Sequence, residues 1–122
     1  MKQQEIERLK SDLKQFTGTT QYYRINRKTL LTDGTFYLCT QTGAFWLMEV
    51  FSSDLIELKP EDWFVVLRLD VSGDSAKVVI EDVNSNLLAT QEIEYTDFPL
   101  NQITLYACWD SEHWVLMLPS EY

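Results

Sequence analysis

Cys108, Asp110 and His113 fall within six residues of one another, and those side-chain types in that span could support nucleophilic chemistry. A thiol needs an adjacent base to become a thiolate, and the base needs a third group to orient it. The local pattern works against that use. Ile103, Leu105 and Ala107 alternate as an inward-facing set, which turns Cys108 to the opposite side of its strand, although apposition with His113 across a hairpin stays open. No oxyanion or specificity element accompanies them, so Cys108 reads as a packed thiol and His113 as a strand-end surface residue. His113 is the only histidine, and Cys39 and Cys108 are not spaced as a zinc pair, so one chain cannot build a closed Cys/His metal site. Glu81-Asp82 and the pair Glu92 and Glu94 could serve a hard cation, but the D-x-D-x-D-G loop is missing. Gly18, Gly34, Gly43 and Gly73 never cluster, which argues against a phosphate-cradling loop or a dinucleotide fingerprint. No cofactor, metal or catalytic residue is assigned.

Charge is the next candidate for function. The chain carries a net charge of -9 over 122 residues, unevenly distributed. Residues 1–28 hold seven Lys and Arg against three carboxylates, a balance of +4, and the remainder holds three against sixteen, a balance of -13. Tyr22-Tyr23 followed by Arg24, Arg27 and Lys28 interleaves aromatic and basic groups as single-strand binders do, but the acidic body would repel nucleic acid over most of the surface, so no direct nucleic-acid partner is expected. Glu81, Asp82, Glu92, Glu94 and Asp97 could instead form an acidic face that imitates a phosphate-like field, or simply keep the domain soluble.

These residues need elements to hold them. The length suits a single domain over residues 1–122, and the composition is ordinary for a folded soluble chain. Ile6, Leu9, Leu13 and Phe16 recur at helical spacing, predicting an amphipathic helix over 3–16 within a basic segment 1–17, stopped by Gly18. The stretch 19–31 is irregular, with at most a short strand near Tyr22 and Tyr23. Residues 32–55 predict a helical layer with N-cap candidates Thr32 and Asp33, in two pieces, roughly 34–41 and 44–53, or as one helix with an irregular middle, because Thr40, Thr42 and Gly43 are poor in a helix interior. After Lys59-Pro60 the pattern alternates with period two, so 62–119 predicts an antiparallel sheet. The fold class is α+β, with N-terminal helices packed on one face of an antiparallel meander of about five strands joined by short turns. The run GAFWLMEVF, residues 43–51, reads as the apolar cover of that sheet.

The stretches TGTTQYYR, LLTDGTFYL, TGAFWLMEVFSS, EYTDFPL and LPSEY, in that order, resemble a family of small uncharacterised proteins from bacteria and their phages, a domain of unknown function. The likeness runs from about Gly18 to Tyr122. It implies an α+β domain of bacterial or phage origin and brings no activity, so no catalytic residue carries over.

The expectation is a non-enzymatic module that acts through a protein interface or binds a small ligand, with Tyr22, Tyr23, Phe98, Trp109 and Trp114 as interface candidates because aromatic residues beyond the needs of a core are common at interfaces. Its alternatives are an acidic inhibitor that mimics nucleic acid, and a small enzyme with a pocket between helices and sheet rimmed by Tyr22, Tyr23, Cys39, Trp46 or His113. Residues 1–16 lack the apolar core of a secretory signal and no run is long enough to span a bilayer, so a cytoplasmic location without membrane partners is expected. Opposite charge on head and body leaves homo-oligomerisation open.

Overall fold

Thr32, the first N-cap candidate, starts the helical layer in the computed structural model, which describes residues 1–58 and 61–122. The change of periodicity at Lys59 and Pro60 lies outside the described residues. Helix α2 spans Asp33–Thr42, with the Thr32 hydroxyl accepting the Thr35 N–H at 3.4 Å. It ends at Gly43, whose φ of 72° is accessible to glycine at little cost and lets its N–H reach the Cys39 carbonyl at 2.7 Å. Helix α3 follows at Phe45–Leu55, so the layer has two pieces, as expected. Helix α1, Gln3–Leu13, is shorter than its apolar pattern. Gln15 and Phe16 turn back onto the Asp12 and Leu13 carbonyls three residues earlier, tightening the chain into Phe16, which packs against Tyr37 at 5.3 Å. Gly18 is not the stop, and it does not have the positive φ that Gly43 and Gly73 adopt.

Among the described residues seven strands form one sheet: β1 Tyr23–Asn26, β2 Thr29–Leu31, β3 Phe64–Ser72, β4 Ser75–Glu81, β5 Leu87–Ile93, β6 Gln102–Trp109 and β7 Trp114–Met117. Their order is β1-β2-β7-β6-β3-β4-β5, antiparallel except for the β2–β7 pair. The expectation of about five strands in a meander is corrected in two ways. First, β1 and β2 are only four and three residues long, too short to register as alternation in the stretch that reads as irregular. Second, only β3-β4-β5 is a true meander. The segment 94–101 leaves the β5 edge, buries Phe98 and Leu100, and returns so that β6 pairs on the other side of β3.

All three helices contribute to the core on one side. Leu31, Val65, Leu67, Leu69, Val78, Ile80, Leu105, Ala107 and Leu116 meet Leu9, Leu38, Leu47, Met48, Phe51 and Leu55, nearly all fully buried. Each large side chain of this set contributes about 1.5–3 kcal/mol through burial, enough to join helices and sheet without a ligand. GAFWLMEVF is therefore core: Leu47, Met48 and Phe51 are sealed, and of its large apolar side chains Phe45 alone is exposed. No helix among the described residues is long and apolar enough to cross a membrane.

Candidate functional site

Strand alternation leaves a second face. Register places Leu30, Val115, Cys108 and Phe64 in one row across β2, β7, β6 and β3, and Met117, Tyr106, Val66 and Glu81 in the next, across β7, β6, β3 and β4. These residues have the opposite parity to the buried set, against which α1, α2 and α3 pack. Phe64, Val66, Tyr106, Cys108 and Met117 are half-buried. Tyr122 lies over them, its ring edge-on to Phe64 at 5.0 Å and to Tyr106 at 5.9 Å, and remains 71% exposed. Phe64 and Tyr106 are 5.2 Å apart, and Trp63, 55% exposed, sets its ring edge-on to Phe64 at 5.9 Å. Four aromatic rings thus gather on or at the rim of a sheet face left open to solvent. Beyond them Arg68 donates to Glu81 at 2.7 Å and to Asp70 at 3.0 Å, closing the apolar area with a paired charge group.

The chemistry that Cys108 and His113 could supply is not assembled. Burial pushes the Cys108 thiol up, the reverse of what an attacking thiolate needs, and pushes the Cys39 thiol up to about 12. The His113 ring lies 3.3 Å from an Arg24 guanidinium nitrogen, while Asp110 accepts the Glu112 and His113 backbone N–H groups and so shapes the β6–β7 turn, with Ser111 at φ 86°. Burial works against the charged form of Asp110, but those two N–H bonds and His113 hold its carboxyl below the usual range. Among the described residues, no three His, Cys, Asp or Glu side chains stand together as metal ligands.

Of the five aromatic residues singled out in sequence, Phe98 and Trp114 lie in the core, which removes their rings from any contact surface. Trp109 packs against the core and Trp114 at 5.6 Å, with the Lys28 ammonium 5.9 Å over its ring. Tyr23 stacks on Phe36 at 4.0 Å, and Tyr22 alone is widely exposed. Trp109 and Trp114 are brought together, but the five do not form one surface. Nor do the acidic residues form an unbroken row: Glu81 is paired with Arg68, Asp82 accepts from the Asn84 and Asn86 backbone to hold its turn, and Glu92 stands opposite Lys77. Glu94 and Asp97 are exposed beyond the end of β5. The residues named for a pocket rim are also scattered. A groove of about 450 Å³ lies elsewhere, lined by Asp12, Gln15, Phe16 and Tyr37, where the Tyr37 hydroxyl donates to Asp12 at 2.7 Å.

Sequence reasoning missed Trp63, Phe64, Val66 and Met117. The signal was present: β3, β6 and β7 are apolar at both parities over half their length, and a strand with one solvated face should not be.

A second polar cluster explains other segments. Asp33 accepts from the Thr20 N–H at 2.8 Å, the Thr20 hydroxyl at 3.0 Å and the Tyr23 hydroxyl at 3.0 Å, while its own N–H donates to the Thr19 hydroxyl. The Glu121 carboxylate accepts from the Thr32 hydroxyl and from the Gly34 and Leu118 N–H groups. The stretches TGTTQYYR, LLTDGTFYL and LPSEY meet here, at the start of α2. Every named donor is satisfied within the chain, so the cluster ties the chain to itself. Gly34 is required by that tie, since a Cβ there would lie 2.5 Å from Leu118 and 2.6 Å from Glu121.

A helical layer on one side of a mostly antiparallel sheet, with the other side open, defines an α+β domain with one covered and one free sheet face. The chain belongs to the family of unknown function DUF6876, whose model matches residues 7–122. No curated protein and no solved structure is significantly similar to it.

Proposed function

We propose that this protein is a non-enzymatic binding module that engages another protein through the open face of its sheet. The observation that carries this reading is the ring cluster of Phe64, Tyr106 and Tyr122 with Trp63 at its rim, set on a floor of Val66, Val115 and Met117. Large apolar groups cost free energy in water, and aromatic side chains with little conformational entropy are the usual anchors of contact surfaces. The cysteines favour the same reading, because both thiols are held protonated by burial. A cytoplasmic setting in a bacterium or phage is part of the proposal. The test is a photo-crosslinking side chain placed at Met117, on the open face, or at Ser53, exposed on α3. Covalent capture of a protein from Met117 and not from Ser53 is expected; equal capture from both, or none from Met117, rejects the open face as the contact surface.

A further inference from the structure

The sheet lacks one corner, and the strand beside that corner has backbone groups left over. β6 is eight residues long and β7 only four, so register pairs β7 with Tyr106 to Trp109 alone, and β2 and β1 continue from that same end. The first half of β6, from Gln102 to Leu105, has β3 on one side and, among the described residues, no strand on the other. Its backbone alternates. The Val71 N–H donates to the Asn101 carbonyl and the Trp109 N–H to the Trp63 carbonyl, both at 2.8 Å, so odd-numbered residues of β6 direct their N–H and C=O groups at β3. Even-numbered residues direct theirs the other way, as the Asp110 N–H does to the His113 carbonyl at 3.0 Å. Cys108 and Tyr106 meet Val115 and Met117 there, whereas the next rung would set Thr104 against Pro119, which has no N–H to give. The chain swings off at that proline into the Pro119–Glu121 turn, where the Pro119 carbonyl accepts the Tyr122 N–H. The backbone N–H and C=O groups of Gln102 and Thr104 on this side therefore have no partner among the described residues.

A groove of about 330 Å³ runs beside this bare edge. Leu13, Ile103, Leu118 and Pro119 give it apolar walls, and Lys14 and Ser120, both exposed, complete it. Lys14 makes no ion pair among the described residues. The long outer edge differs: β5 carries the exposed polar residues Thr90, Gln91 and Glu92 along it.

We infer that this notch binds an extended peptide segment of a partner protein, which pairs its backbone with Gln102 and Thr104 and sets an apolar side chain into the groove. Apolar walls accept any apolar group, but N–H and C=O groups repeating every second residue along one edge match the alternation of another extended chain. Alternation also places the side chains. Ile103 shares the helical side with buried Leu105, so a peptide residue set against Ile103 projects toward the apolar walls and its two neighbours project to the open side. Lys14 adds a preference for a carboxylate beside that apolar residue. The bare edge is three residue steps, about 10 Å, and pairs with about four residues of peptide. Contact of that size gives a weak, exchanging complex. The notch uses a strand edge and does not rest on the ring cluster of the open face.

Hydrogen exchange and peptide selection on the full chain test this. In the free protein the Thr104 amide should exchange at least about tenfold faster than the Tyr106 and Cys108 amides, which β7 pairs; equal protection overturns the bare edge. A displayed library of random heptapeptides is selected on the full chain, and the most enriched sequence is made as a free peptide. It should slow exchange at Thr104, and methylating its backbone N–H opposite Thr104 should weaken binding about tenfold, whereas methylating the next one should not. Ser120→Trp, which fills the groove from its exposed side, should weaken binding about tenfold with melting unchanged, and Lys14→Glu about two- to fivefold. Ile103→Thr, which takes apolar surface from the groove and keeps strand preference, serves should Ser120→Trp alter melting. No enriched peptide, or one whose binding survives both Ser120→Trp and Ile103→Thr, overturns the notch as a peptide site. Binding that Val66→Thr abolishes and Ser120→Trp does not places the peptide on the open face, which overturns the notch and leaves the open-face proposal standing. Protection of the β5 amides in place of Thr104 moves the peptide to the outer edge and overturns the notch as well.

Discussion

The covered and open faces of the sheet come from the same strands and differ by a single step along each of them. Leu67 and Val66 are neighbours in β3, yet Leu67 has no exposed surface and lies under the helical layer, while Val66 is half-buried between Tyr106 and Glu81. Both carry apolar side chains. The difference is what covers them: α2 and α3 remove one set from water inside the chain, whereas the other set has over it the exposed ring of Tyr122. Apolar surface on the covered side stabilises the fold, and apolar surface on the open side is the contact surface proposed above.

The largest expected effects lie on the covered side. Phe51→Ala should destabilise by about 3–5 kcal/mol and Leu67→Ala by about 2–5 kcal/mol in urea unfolding, because each leaves a cavity in sealed packing. Values near zero would break the distinction between the faces. Next comes the tie at the start of α2, which holds the cover in place. Gly34→Ala should cost about 1–3 kcal/mol by overpacking against Leu118 and Glu121, and Thr32→Ala about 1–2 kcal/mol through loss of its N-cap.

Acid sharpens the same point. The Thr20 N–H bond first, with the Thr20 and Tyr23 hydroxyls, holds the Asp33 carboxyl below the usual aspartate range. The unfolded chain therefore binds more protons there than the folded one, so Asp33 contributes stability that is present above about pH 4 and is lost as pH falls through its lowered folded value. Asp33→Asn should flatten that part of the stability curve from pH 5 to 2, measured by thermal melting, and an unchanged slope would remove Asp33 from the tie. Asp54 gives the smallest effect, with the opposite sign. It lies in the last turn of α3, where burial and then Glu57 raise its carboxyl, and one of its oxygens is buried without a partner. Its folded form is the better proton binder, so near neutral pH the charge works against folding. Asp54→Ala should raise the melting temperature at pH 7, by less than about 1 kcal/mol in free energy, through relief at a helix C-terminus.

Much of the covered side was legible in sequence, because helical spacing at Leu9 and Leu13 and strict alternation at Val65, Leu67 and Leu69 report burial directly. The split at Gly43 was legible for the same local reason. The sheet order was not. The placement of β6 between β3 and β7 depends on Phe98 and Leu100 anchoring the return segment, a tertiary fact with no local signature. The open face was partly legible, in the apolar residues at the second parity of β3, β6 and β7. Aromatic content alone was a poor guide: Trp114 and Phe98 are core, whereas Trp63 and Tyr122 are exposed.

The most direct measurement of the difference between the faces replaces the open one without touching the covered one. In a chain carrying Val66→Thr, Tyr106→Thr and Met117→Gln, unfolding at protein concentrations low enough to populate only monomer should show a loss of no more than about 1 kcal/mol, less than one buried leucine is worth. Binding of a protein through that face should be lost. A loss of several kcal/mol with association intact would mean that the open face holds the fold together and that partners are met elsewhere.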